Sequence, residues 1–214
     1  MIFNKQITAS LIILVAPMAS AALSIVSTNN AGFNSNTSAI VDNTGTAIAQ
    51  NTGVISVGTF GSLTDGQIQS LGSAGIISSS FDAVGSTNFN LLDGIFEDTI
   101  QNVGDTTRFV GQNIFSVIGN GNTIAGSTQF LIYRHSDVNT TGQFVGLPNL
   151  NGAAVVADGN GSTGSLLVGG FNNFTNDFGA GEFAAFNLVT VVPEPSSSAL
   201  LAIAGVGFVL RRRR

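Results

Sequence analysis

The chain has 214 residues, of which only 9% are charged and 43% hydrophobic, and its formal net charge is −5. It has no cysteine, which excludes a cysteine nucleophile and thiolate metal ligands. Between Ala22 and Val192 only Arg108 and Arg134 are basic, against eleven acidic residues, so phosphate repulsion excludes nucleic acid as a partner.

The first element is MIFNKQITASLIILVAPMASAALS. One cation, Lys5, precedes an apolar run from Ala9 to Ala16. Pro17 breaks that run, and Ala19 and Ala21 put small residues at the −3 and −1 positions of a cleavage site. This is the layout of a secretory signal peptide over residues 1–21, cut after Ala21 or Ala22. The apolar core is shorter than the roughly 20 residues a spanning helix needs. The layout implies passage through an export translocon.

Residues 22–191 read as one exported body. Gly, Asn, Ser and Asp turns separate short apolar runs, and no long amphipathic helix interrupts them. The predicted strands are Ala22–Ser27, Thr46–Gln50, Val54–Phe60, Ile95–Val103, Asn113–Gly119, Thr128–His135, Ala153–Ala157, Gly164–Gly169 and Glu182–Val192. In the sixth, Phe130, Ile132 and Arg134 alternate with Leu131, Tyr133 and His135. Gly119-Asn120-Gly121-Asn122 marks a turn between two strands. Many strands without strand–helix alternation predict an all-β, antiparallel sandwich or jelly-roll-like body. One short helix is expected after Thr64, with Gln67 completing a capping box, Ile68 and Leu71 facing the core, and Gly72 ending it. A second is expected around Ile76–Val84.

Candidate chemistry in the body is sparse. Tyr133-Arg134-His135-Ser136-Asp137 holds the single histidine and the single tyrosine. An extended run puts His135 and Asp137 on one face and Ser136 on the other, which does not converge as a catalytic triad must. Gly159-x-Gly161-x-x-Gly164 resembles a dinucleotide fingerprint, but the sequel is a predicted strand, so no helix N-terminus faces a phosphate. Asp158, Asn160 and Ser162 alternate oxygen ligands and form a loose calcium candidate, as does Asp137-x-Asn139. Gly169 and Pro148 stand where an EF-hand loop requires its bidentate glutamate. Asp93, Glu97 and Asp98 form an acidic cluster that reads equally as a cation site and as a solvated turn and strand edge. Glu97, Asp98 and Glu182 could supply paired carboxylates for sugar cleavage, with nothing to set their separation. No catalytic residue, resident metal or cofactor is assigned.

The last element, residues 192–214, is VPEPSSSALLAIAGVGFVLRRRR. Pro193 and Pro195 fix φ and lack amide protons, so Val192, Pro193, Glu194 and Pro195 should be extended and exposed. Ser196 to Leu210 gives about 22 Å of helix, short of the ~30 Å hydrocarbon core. The arginine stems extend it to about 28 Å. Arg211, Arg212, Arg213 and Arg214 orient such a helix with its end in the cytoplasm and the body outside. The segment therefore reads as a single, marginal C-terminal membrane helix, either a permanent anchor or a temporary tether.

Taken together, a Val-Pro-Glu-Pro tetrad, an apolar helix and an arginine cluster resemble the PEP-CTERM sorting signal, a segment also classified as the ice-binding protein C-terminal domain. The resemblance covers only this tail. It implies an exported protein of a Gram-negative bacterium that makes exopolysaccharide, and a membrane-embedded exosortase that recognises Pro193, Glu194 and Pro195. The helix is then a transient membrane insertion and the arginines a stop-transfer signal. The ice-binding label finds no regular threonine array in the body; Thr44 and Thr46 form one isolated pair. The expected role is a structural or adhesive one in the envelope or the exopolysaccharide matrix. The alternatives are a carbohydrate-binding module, which calls for exposed aromatic rings, and a matrix polysaccharide hydrolase, which calls for two convergent carboxylates.

Overall fold

The computed structural model describes residues 23–29, 39–102, 106–136, 138–145, 151, 153–156, 164–175 and 182–191. The expected signal helix and membrane helix, Asp137, and the calcium candidates Asp158 and Asn160 lie outside them. Among the described residues, no helix is long and apolar enough to cross a membrane.

The described body is strand-dominated. Its strands are β1 (Leu23–Thr28), β2 (Ala39–Val41), β3 (Val54–Thr59), β4 (Asp82–Thr87), β5 (Glu97–Asn102), β6 (Phe115–Gly119), β7 (Gln129–His135), β8 (Ala153–Val155), β9 (Gly164–Val168), β10 (Gly170–Thr175), β11 (Glu182–Asn187) and β12 (Val189–Thr190). Two short helices, α1 (Asp65–Gln69) and α2 (Ala74–Ser80), lie between β3 and β4.

The central sheet runs β12-β7-β6-β3-β4, with β9 also paired to β7. Two smaller sheets, β5-β1-β8 and β10-β11-β2, complete the set. Every pairing in the central sheet is antiparallel, but β8 joins β1 and β2 joins β11 in parallel. The body is thus mixed rather than purely antiparallel. Both parallel additions are short edge strands brought in from distant parts of the chain.

Each face of the central sheet carries its own core. On one face Phe115, Val117, Phe130 and Ile132 pack with Phe60, Phe81, Ile68 of α1 and Ile77 of α2. On the other, Ile55, Ile118, Leu131 and Tyr133 pack with Ile40 and Phe186 of the small sheet β10-β11-β2. Further along that face, Val57 and Ile114 meet Leu23, Ile25 and Ile100 of the sheet β5-β1-β8. The arrangement is a helical pair, a central sheet and a divided outer layer.

Local chemistry explains the helices. Thr64 accepts from the Gln67 amide, and the Gln67 side chain returns to the Thr64 amide at 2.9 Å, the expected capping box. Ser73 caps α2 by accepting from the Ile76 amide. The second helix begins earlier than expected and ends at Ser80, because Phe81 turns extended and leads into β4. Val84 is then buried in a strand rather than a helix.

The predicted strand Thr46–Gln50 does not form; only Ala47 makes an isolated bridge, to Val41. Asp42 captures the local backbone instead. Its Oδ1 accepts from the Thr44 amide at 2.8 Å, the Thr46 amide at 2.9 Å and the Thr44 hydroxyl at 2.6 Å. Burial opposes ionisation of that carboxyl, but bonds from the Thr44 hydroxyl and the Thr46, Thr44 and Gly45 amides outweigh it and hold its pKa below the ordinary value.

Two long runs break where the chain changes sheet. The expected Glu182–Val192 strand divides at Leu188 into β11 and β12, which belong to different sheets. Leu188 is buried and donates to the Val41 carbonyl at 2.9 Å. Likewise β9 and β10 divide at Gly169, whose φ of +123° suits glycine and little else. Strands that step between sheets form the corners of such packings.

Candidate functional site

The sorting tail is joined to the body through β12. Val189 faces Phe130 and Thr190 faces Gln129 across an antiparallel pairing with β7. One residue on, the Val191 amide donates to the Thr128 carbonyl at 3.4 Å, and its side chain packs at the margin of the helix-face core. A polar clasp holds this junction. The Asn43 amide donates to Gln129 Oε1 at 2.9 Å, and Gln129 Nε2 donates back to Asn43 Oδ1 at 3.0 Å. Asn43 Nδ2 then donates to the Thr190 hydroxyl at 3.1 Å. Asn43 and Thr190 are exposed, and Gln129 is half-buried. Asn43 stands in this place because the Asp42 turn holds the loop after β2. Val192, Pro193, Glu194, Pro195 and Arg211 to Arg214 lie beyond the described residues, as do Ala19 and Ala21.

Gln129 is itself placed by the β6–β7 connection. Asn120 Oδ1 accepts from the amides of Thr128 at 2.9 Å and Gln129 at 3.1 Å. The Gly119–Asn122 stretch therefore opens a longer connection, closed by Asn120, rather than a two-residue hairpin.

The single histidine is an interior group. His135 is 2% exposed, and its Nε2 lies 2.8 Å from the hydroxyl of Ser116, which is fully buried. The neighbouring Ser136 is exposed, and Asp137 is outside the described residues. Burial alone depresses the His135 pKa from 6.5 to about 3, so the ring is neutral at physiological pH. Among the described residues its Nδ1 has no hydrogen-bond partner. The Tyr133 ring packs edge-on against it at 5.1 Å. A hydroxyl beside an imidazole is the first half of a nucleophile–base pair, but these atoms are sealed from solvent within the sheet-face core. Ser116 was not singled out in the sequence. The signal for it was the β6–β7 register, which sets Ser116 opposite Tyr133 and so on the His135 face.

Charge is spent on local structure. Arg134 pairs with Asp65 of α1 at 2.6 Å, and Arg108 pairs with Asp82 of β4 at 2.6 Å while stacking over the Phe109 ring. Asp93 accepts from the Gln50 amide at 2.7 Å. Asp98 accepts from the Thr87 hydroxyl at 2.6 Å and the Thr99 amide at 2.7 Å. Asp93, Glu97 and Asp98 are all exposed and lie at a turn and on an edge strand. Among the described residues, no group of three or more His, Asp or Glu side chains gathers as a metal site would.

Residues 191–214 match the PEP-CTERM protein-sorting motif. The match marks an exported protein addressed to an exosortase for processing at the membrane. No curated protein and no solved structure matches the chain.

Proposed function

We propose that this chain is an exported structural or adhesive protein of the cell envelope or exopolysaccharide matrix. An export translocon passes it outward, its C-terminal tail tethers it, and an exosortase removes that tail at Pro193-Glu194-Pro195. The observation that carries the reading is the sorting motif at residues 191–214, which joins a β-rich body with no spacer. The low charge and the wealth of uncharged polar turns suit a protein embedded among hydrated polymers.

Mass spectrometry of the secreted protein tests the sorting. The wild-type chain should lack residues from the motif onward, whereas Pro193→Ala/Pro195→Ala protein should keep its tail and stay with the membrane. An intact tail on mature wild-type protein defeats the reading. Co-sedimentation of the processed protein with exopolysaccharide from the producing cells then tests the matrix role; a protein that stays wholly in the supernatant argues against adhesion.

A further inference from the structure

We propose that β12 is a release strand: its detachment from β7 frees the sorting motif for the processing enzyme, and the Asn43–Gln129–Thr190 clasp sets how often that happens. The inference rests on the reading of the tail as a processed signal. The step is conformational, and no covalent bond changes in it.

Chain length supplies the need. Only Val192 separates Val191 from Pro193. Two residues of chain reach about 7 Å at most, so while β12 is paired Pro193 can lie no further than that from Val191. A processing enzyme must take its peptide into an active site clear of the folded body, and cleavage of folded chains generally follows local opening. Loosening Val189, Thr190 and Val191 moves the fixed point back to Leu188. Four residues then separate the anchor from Pro193, five Cα steps with a reach of about 17 Å.

The pairing pattern makes this the unit that opens. On one edge β7 is held by β6 through five consecutive pairs. Its other edge is shared: β9 holds Ile132 to His135, and β12 holds only Phe130 and Gln129. Leu188, fully buried and bonded to Val41, is a natural stop for fraying. The clasp bonds are exposed to water, where each is readily exchanged for a bond to solvent. The junction is therefore ordered but lightly held.

The test uses the full-length chain with Gln129→Cys/Thr190→Cys. These residues face each other across antiparallel strands, within the Cα spacing a disulfide accepts. The chain has no cysteine of its own, so this is the single disulfide available. In producing cells the oxidised variant should lose its tail at least tenfold more slowly than the same variant kept reduced, and Asn43→Ala should lose it roughly three- to tenfold faster than wild type. Equal rates for the oxidised and reduced forms overturn the proposal; the reduced form controls for folding. Hydrogen exchange on the full-length wild-type chain decides separately: the Val191 amide should exchange at least tenfold faster than that of Leu188. Equal protection overturns the release strand even if the tail is processed. A wild-type tail that is never removed defeats the sorting reading instead, while the exchange result still rules on the strand.

Discussion

The two faces of the central sheet solve the same problem differently. On the helix face, burial is apolar and aromatic: Phe60 lies 4.9 Å from Phe81 and 5.3 Å from Phe115, and the polar contact is set at the margin, where Arg134 meets Asp65. On the sheet face, the core is extended by two small sheets, and a polar pair, Ser116 and His135, is taken inside. The helix face tolerates short, locally capped elements because each need cover only a few rings. The sheet face depends on pairings between distant strands, and its buried imidazole makes it sensitive to acid. Both faces being covered also explains why β6 reads FSVIG, with every residue buried.

The largest expected effect comes from breaking the helix face. Phe115→Ala removes a ring that is 1% exposed and sits against Phe60. It should cost about 3–5 kcal/mol of stability, measured by urea denaturation. A loss below about 1 kcal/mol would mean that the helices contribute little to this core.

Acid should break the other face. The unfolded chain takes up a proton on His135 near 6.5, whereas the folded chain resists until about 3. Between those values the unfolded state binds more protons, so stability falls as pH falls. The slope should approach about 1.4 kcal/mol per pH unit below 6.5. Urea midpoints at pH 7, 6 and 5 check it, and His135→Gln should flatten the profile across that range. A wild-type profile as flat as the variant's would contradict a neutral, buried ring.

The smallest effect sharpens the contrast. The Arg134–Asp65 pair is about a third exposed on each side, 34% and 39%. A double-mutant cycle with Arg134→Ala and Asp65→Ala should give a coupling of only about 0.2–1 kcal/mol, weakened further by salt. A larger value would show that charge, rather than apolar burial, docks α1.

Much of the fold was legible because its signals are short. Thr64 and Gln67 announce α1 within four residues, and the strands β1, β3, β6, β7 and β9 appear close to where apolar runs meet turn residues. The failures are equally specific. Thr46–Gln50 has a strand's composition, but Asp42 takes the Thr46 amide and Asp93 the Gln50 amide, which leaves a single bridge at Ala47. Glu182–Val192 reads as one strand because nothing local marks the change of sheet at Leu188.

By itself, then, the sequence determined the β-rich class, the capped helix and the sorting motif, since each is written in neighbouring residues and ordinary backbone preferences. Tertiary structure alone decided which strands pair, including the parallel β1–β8 and β2–β11 contacts, and which serine meets His135. It also decided that Asn43 should reach Thr190, 147 residues away, to clasp the strand before the tail. Such partners are selected by the burial of whole faces, and that burial is a property of the assembled layers, which no short stretch of chain contains.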